Sequence, residues 1–268
     1  MTPLFDSHAH YFDARFASEE CEGGVDALLS RLFSEGGISH ILNVGTDVPS
    51  SLSAIEQAKR YNGMYVAAGI HPSDSAKYPD MDAELDRLQA LLTQKESKIV
   101  ALGEIGLDYH YPDTNEKQQA DYFYAQLEMA KKLDLPVVIH DREAHGDSFD
   151  AVCRNPEVRG VFHSYSGSEE MAKDLIRRGF YISFSGTITF KNAKKIAAVA
   201  KNMPHDRVLI ETDCPYLAPH PFRGHLNHSG LLSHTAAMLA ELWEMTPDEV
   251  AAITSQNAKQ LFFKGEER

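Results

Sequence analysis

The chain has 268 residues, 43% of them hydrophobic and 24% charged, which suits one large globular unit with a sizeable core. Its formal net charge of −13 excludes a broad basic face laid along nucleic acid. No apolar run approaches the ~20 residues of a membrane span, no basic and apolar leader opens the chain, and the three cysteines lack paired spacing, so the expectation is a cytoplasmic protein with reduced thiols and no membrane partner.

In chain order, Pro3-Leu4-Phe5 opens a short extended segment that runs into Asp6-Ser7-His8-Ala9-His10. Side chains alternate along a strand, so Asp6, His8 and His10 are expected on one face. Residues 24–35 have helical apolar spacing and stop at Gly36-Gly37. Residues 38–45 read as a buried strand, 50–60 as a helix, 64–72 as a third strand and 82–95 as a helix. The fourth strand is expected over 98–106, followed by a long helix from about 115 to 133. Segments 135–140, 160–165, 181–186 and 207–213 supply four more strands, each preceded by a helical stretch. Residues 217–230, rich in Pro, His and Gly, form a long loop before two helices near 231–244 and 247–263.

Eight near-continuous apolar strands separated by helices predict an α/β fold. The specific expectation is a (β/α)8 TIM-like barrel with two C-terminal helices, forming a single domain over 1–268. A doubly wound open sheet is the alternative, but no GxGxxG follows the first strand.

Functional residues of such barrels gather at the C-terminal ends of the strands. Here His8 and His10 end the first strand, Glu104 the fourth, His140 the fifth and Asp213 the eighth, while the sixth carries His163. Four imidazoles and two carboxylates exceed one tetrahedral zinc site and suit a two-metal centre. The natural division gives His8, His10 and Asp213 to one ion, His140 and His163 to the other, and Glu104 to both. Two ions ~3.5–4 Å apart clamp a phosphoryl or carbonyl oxygen and acidify water, with Asp213 both ligand and proton acceptor. Surface histidines and a structural carboxylate closing the eighth strand are the plain alternatives. His40 and His205 lie at strand starts, on the opposite rim, and read as structural or solvent-exposed.

The segments Phe5-Asp6-Ser7-His8-Ala9-His10, Gly69-Ile70-His71-Pro72, Gly103-Glu104-Ile105-Gly106-Leu107-Asp108-Tyr109 and Glu211-Thr212-Asp213-Cys214-Pro215 together resemble the TatD family of metal-dependent deoxyribonucleases. His140-Asp141-Arg142, His163-Ser164-Tyr165-Ser166-Gly167 and Gly186-Thr187-Ile188-Thr189-Phe190 fit the same family, so the resemblance spans most of the chain. It implies an amidohydrolase-superfamily barrel and a divalent-metal phosphodiesterase acting exonucleolytically on the ends of DNA or RNA, and the net charge of −13 makes a short single-stranded end the expected substrate. It carries the six ligand roles onto His8, His10, Glu104, His140, His163 and Asp213. Imidazole-rich ligation suits Zn or Mn, whereas the resemblance implies Mg, so two divalent ions are expected with their identity open.

Two other function classes stand beside this one. Another hydrolase of the superfamily would cleave an ester or amide, as in a deacylase of mischarged tRNA. Relatives of that kind often bridge their metals with a carboxylated lysine on the fourth strand, where this chain has Glu104. The third class is a non-catalytic metal-binding protein, against which the complete ligand set argues.

Candidate substrate contacts have everyday readings beside them. His71, at the end of the third strand, meets substrate phosphate or metal-bound water, or is a turn histidine before Pro72. Arg142 shares the face of His140 and either pairs with phosphate or bridges a loop carboxylate. Tyr109 and His110 offer a stacking surface or pack within their loop. Lys191, Lys194 and Lys195 guide phosphate or form a solvated face. Cys214 and Trp243 read as packing residues. Arg223-Gly224 and Asn227 fit the family's RGxxN pattern, making Arg223 and Asn227 the expected substrate contacts of the long loop. The acidic residue and proline that usually follow are replaced by His228-Ser229-Gly230, which leaves the geometry of that loop open.

Overall fold

A computed structural model describes residues 2–18 and 20–264; the outermost residues of the domain expected over 1–268 lie outside that range. Its strands are β1 (Leu4–Ala9), β2 (Ile38–Val44), β3 (Met64–Ala68), β4 (Ile99–Asp108), β5 (Val137–Arg142), β6 (Gly160–Phe162), β7 (Tyr181–Phe184) and β8 (Val208–Ile210). They pair in parallel in the order β1 to β8, and a parallel bridge between Ala9 and Cys214 joins the last strand to the first. The expected barrel is the observed one. Between the strands run α1 (Gly24–Ser34), α2 (Val48–Ala58), the single turn α3 (Pro72–Ser75), α4 (Met81–Leu92), α5 (Glu116–Leu133), α6 (His145–Arg154), α7 (Glu169–Arg177) and α8 (Lys194–Asn202). Two helices, α9 (Leu232–Trp243) and α10 (Pro247–Phe262), follow β8. Among the described residues no helix is long and apolar enough to cross a membrane.

Local chemistry starts several helices where the barrel needs them. Asp47 accepts from the Ser50 N–H while the Ser50 hydroxyl serves the Asp47 N–H, a reciprocal cap reinforced by Pro49 in the first turn of α2. Thr246 and Glu249 do the same for α10, with Pro247 at its first position. Each such cap contributes about 0.5–2 kcal/mol.

Two apolar layers hold the barrel. One lies between the sheet and the helices. The other draws a residue from every strand, namely Phe5, Leu42, Tyr65, Val100, Val138, Val161, Tyr181 and Leu209, and meets Leu261, Phe262 and Phe263 of the C-terminal segment. Residues from all eight strands can meet only in the interior, so the end of α10 plugs the floor of the barrel. Phe5 lies 6.1 and 5.9 Å from the rings of Phe262 and Phe263, and His40 stacks on Phe5 at 5.1 Å. Burying each such large apolar side chain stabilises by about 1.5–3 kcal/mol. His205 stacks on Trp243, whose indole N–H donates to the Ala200 carbonyl.

The strands differ from expectation at their upper ends. β3 stops at Ala68, and Gly69 to His71 lead into α3. β6 and β8 stop short of His163 and Asp213, because Ser164 and Asp213 adopt left-handed backbone with φ of 40° and 56°. Such conformations cost a non-glycine residue about 1–3 kcal/mol and collect at functional sites. β4 instead runs on to Asp108. Gly106 allows this, since a Cβ there would lie 2.0 Å from the His140 carbonyl oxygen, and its φ is 140°.

Candidate metal centre

The upper rim gathers all six sequence-expected ligands around one carboxylate. Glu104 is buried, and its two oxygens face different imidazoles. Oε2 lies 3.4 Å from His8 Nε2 and 3.6 Å from His10 Nε2. Oε1 lies 2.8 Å from both His140 Nδ1 and His163 Nε2, and 3.5 Å from His71 Nε2. Asp213 Oδ1 completes the first side, 3.3 Å from His10 Nε2 and 3.8 Å from His8 Nε2. The left-handed turn at Asp213 is pinned by its N–H donating to the His8 carbonyl.

Ring nitrogens face one another across this cluster. His8 Nε2 and His10 Nε2 are 3.1 Å apart, and His140 Nδ1 and His163 Nε2 are 3.2 Å apart. Two lone pairs repel, so each contact needs a proton or a cation between them. Three groups of side chains bring ligating atoms within 4.8 Å of one another: His8, His10 and Asp213; His8, Glu104 and His163; His71, Glu104 and His140. Imidazole nitrogens with carboxylate oxygens fit a divalent transition-type cation.

Outer partners fix which nitrogen each ring offers, and they divide the histidines. His10 Nδ1–H donates to the Val44 carbonyl at 2.6 Å, His163 Nδ1–H to Glu211 at 3.1 Å, and His140 Nε2–H to Asp108 at 3.1 Å. Each of these rings turns a lone pair toward Glu104, the arrangement typical of metal-bound histidine. His71 is the opposite case. Its Nδ1 accepts the Ser73 N–H at 3.1 Å, so in the neutral ring Nε2 carries the proton. His71 therefore presents a donor, not a ligand, although its distances alone would admit it to the third group. It packs edge-on to His140, ring centres 4.4 Å apart. His8 Nδ1 is buried with no hydrogen-bond partner.

Electrostatics follow from this packing. Burial pushes the Glu104 carboxyl up, but His163, His71 and His8 outweigh it and hold it well below the usual range. Burial likewise opposes ionisation of Asp213, and His10, His8 and His163 bring it below its ordinary value. Burial pulls His163 and His140 down; Glu104 and Glu211 raise the first well above ordinary, and Asp108 with Glu104 raise the second. His8 and His71 are lowered, chiefly by burial.

Asp6 does not join its neighbours' cluster. Its carboxylate accepts from the Thr212 hydroxyl and the Ser229 hydroxyl, both at 2.6 Å, and from the backbone N–H groups of Thr212 and His8. Burial pushes it up to about 6 against the pull of those hydrogen bonds. The pairing of β1 with β2 shifts register between Asp6 and Ala9, so simple alternation does not carry through to His8.

Above the cluster lies a cleft of about 750 Å³, lined among others by Phe12, Asp13, His71, Tyr111, Asp141, Arg142, Ser164, Phe190 and Tyr216. Arg142 faces it with the guanidinium 5.6 Å from the Tyr111 ring centre, and among the described residues it makes no ion pair. Arg223 is exposed and does not line the cleft itself; it covers Phe190, which does, at 4.2 Å. Asn227 lies elsewhere: fully buried, it donates to the Thr212 and Tyr216 carbonyls at 2.9 and 2.6 Å, bracing the loop from below. Tyr109 and His110 turn to Asp147 and Glu143, leaving Tyr111 as the aromatic of that loop in the cleft. Lys191, Lys194 and Lys195 do not line the cleft. In the His228-Ser229-Gly230 segment, Ser229 ties the loop to Asp6 and Tyr11, and His228 Nδ1 accepts the Gly230 N–H. The sequence reading missed Asp108 and Glu211. Both follow the period of two, Asp108 four residues after Glu104 and Glu211 two before Asp213.

Comparison with known proteins agrees with this architecture. Residues 5–263 match the TatD related DNase family. The chain is 40% identical over 262 residues to the uncharacterized metal-dependent hydrolase YabD of Bacillus subtilis, covering 97% of this chain and 98% of that one. It is 31% identical over 269 residues to the uncharacterized metal-dependent hydrolase TatD of Mycobacterium tuberculosis, covering 98% of each. The crystal structure of YjjV, a TatD homologue from Escherichia coli, superposes with a TM-score of 0.88 at 31% identity, over 97% of this chain and 98% of that one. Both the sequence match, which runs from the first strand into the C-terminal segment, and the common barrel place the chain in the TatD family, the metal-dependent hydrolases of the amidohydrolase fold.

Proposed function

We propose that this hydrolase is a two-metal phosphodiesterase that trims DNA or RNA from single-stranded ends. The observation that carries the reading is the double-facing carboxylate of Glu104, with His8 and His10 on one oxygen and His140 and His163 on the other. His8, His10 and Asp213 would hold one divalent ion, His140 and His163 the second, and Glu104 both. Mg, Zn and Mn are the candidate ions. When bound, such a pair polarises a phosphoryl oxygen and makes water acidic enough to react near neutral pH.

The chain's own residues supply the rest. Asp213 stays ionised because His10, His8 and His163 surround it. With Oδ1 turned to the histidines, the other carboxylate oxygen is the proton acceptor. His71 Nε2–H offers a hydrogen bond to a phosphoryl oxygen brought against Glu104. Asp108 and Glu211 orient His140 and His163. Arg142 faces the cleft, where its charge helps to keep Asp108 ionised, and would hold a phosphate bidentately.

A second reading, hydrolysis of a less charged ester or amide such as the linkage of a mischarged tRNA, draws support from the carboxylates of Asp108 and Asp141 in the cleft wall. One experiment separates the two. The purified protein, loaded in turn with Mg, Mn and Zn, is given an end-labelled single-stranded oligonucleotide beside a panel of activated carboxylic esters. Stepwise release of mononucleotides is expected; ester turnover with an intact oligonucleotide refutes the phosphodiesterase reading. Anomalous diffraction at the metal edge should show two peaks sharing Glu104, and one peak after soaking in excess metal refutes the paired site.

A further inference from the structure

Five large apolar side chains remain exposed among the described residues, and three of them, Tyr111, Tyr216 and Leu217, line the cleft. Exposed apolar surface gathered at one mouth marks a binding surface. Tyr216 differs from the others in being fixed at every point. Its hydroxyl donates to Asp13 Oδ2 at 3.1 Å, and its backbone N–H donates to the Asp213 carbonyl at 3.0 Å. The Arg15 guanidinium covers one face, 3.7 Å from the ring centre. The ring stands edge-on to the His10 imidazole at 6.2 Å and 82°. It is nevertheless 43% exposed, and with one face under Arg15 that exposure belongs to the other face and the rim.

Charge tells what this surface recognises. Arg15 is paired twice with Asp13, Nε to Oδ1 at 3.1 Å and Nη2 to Oδ2 at 3.0 Å, so the cation is already neutralised. The trio therefore adds no net attraction for phosphate and offers a flat, immobile ring beside a candidate ligand. Arg142, which makes no ion pair among the described residues although its charge is felt by Asp108, is the cation of the cleft wall, and Arg223 lies outside it over Phe190. The two tasks are divided: an arginine for phosphate, a neutral ring for something planar.

The geometry points to Tyr216 as the stacking platform for the terminal base of a nucleic-acid strand, making it a specificity-determining residue that selects ends carrying an unpaired base whatever its identity. This rests on the nucleic-acid reading of the site. Stacking on an aromatic ring is open to every base, because every base has a π face. A base paired in a duplex has its faces covered and cannot use it.

The test is binding by fluorescence anisotropy in the metal-loaded Asp213→Asn background. The probes are single-stranded hexanucleotides with an abasic residue at the 5′ end, the 3′ end or neither. Tyr216→Ala should weaken the fully base-bearing probe roughly 5- to 150-fold, the range that loss of one base–aromatic stack produces. The same substitution should change affinity less than two-fold for the probe whose abasic residue falls at the platform, and Tyr216→Phe, which keeps the ring, should retain most of the base preference. Equal weakening of base-bearing and abasic probes, or no base preference in the parent, overturns the platform. Base preference without cleavage of any oligonucleotide by the wild-type protein leaves the platform standing and removes the nuclease reading; no binding of any probe overturns both.

Discussion

Glu104→Gln tests the centre most directly, because it keeps the side chain's volume and removes only its charge. In chelator the ions are gone, and the charge balancing Glu104 is a proton among the imidazoles. His163 is its main seat: burial lowers that ring's pKa, but Glu104 and Glu211 more than reverse it. Removing one partner of a buried pair costs about 3–5 kcal/mol, and Glu211, which remains beneath His163, places the loss at the lower end. Glu104, with its pKa depressed below the ordinary 4.5, stabilises the fold above that value and loses the contribution as pH falls through its folded pKa. His163, raised above the ordinary 6.5, stabilises below that value and loses the contribution as pH rises through its folded pKa. Both contributions are complete between 4.5 and 6.5. Urea unfolding in EDTA should therefore show Glu104→Gln destabilised by about 3 kcal/mol at pH near 5.5, with the penalty shrinking as pH rises into the alkaline range. Metal affinity should fall by more than the roughly 10–100-fold that loss of an outer hydrogen-bond partner costs, since both proposed ions would lose a carboxylate ligand. A penalty that is flat or grows with pH, or a variant that keeps both ions, refutes the reasoning.

Asp213→Asn should lower kcat more than ten-fold while metal content stays close to wild type; retention of more than a tenth of the rate, a change under ~1.4 kcal/mol, would show that Asp213 is not the base. Asn227→Ala should leave two loop carbonyls unpaired and cost about 1–3 kcal/mol, read as a Tm lowered by about 2–4 °C per kcal/mol; unchanged Tm with a raised KM would instead make Asn227 a substrate contact. Affinity of a metal-loaded, inactive variant for single strands should fall with a log–log salt slope of roughly −1.4 to −2, two or three phosphate contacts at about −0.7 each. A slope steeper than about −5, or equal affinity for blunt duplex, would refute a short end-gripping site.

The barrel was legible because buried parallel strands announce themselves as apolar runs, and eight of them alternated with helical periodicity. The convergence of the candidate ligands was legible for a geometric reason: a barrel places strand ends on one rim, so His8, Glu104, His140 and Asp213 had to meet wherever the exact strand limits fell. What escaped was anything decided by tertiary contact. Asn227 looks like a loop amide available to substrate, and only its burial against the Thr212 and Tyr216 carbonyls shows otherwise. Asp6 shares the two-residue spacing of His8 and His10, yet a register shift in β1 sends it to Ser229 and Thr212. His71 is separated from the ligands by one backbone N–H, that of Ser73, which no spacing rule predicts. Asp108 and Glu211 could have been found by applying the alternation used for the first strand to the fourth and eighth.

The floor plug has a consequence for how the protein is made. β1 precedes the other strands of the barrel in the chain, but its inner ring, Phe5, is covered by Phe262 and Phe263, and its edge is closed by the segment around Cys214. The Thr2 N–H donates to Asp248, and the Ser255 hydroxyl donates to the Pro3 carbonyl. Until α10 emerges, the nascent chain holds a sheet with an open edge and an unsealed apolar lumen. Before the segment around Asp213 is made, His8 and His10 have neither that carboxylate nor a closing strand behind them, so the cluster proposed to hold the ions is incomplete. A centre of the proposed kind can therefore assemble only once the barrel has closed, and an ion held there would record that closure.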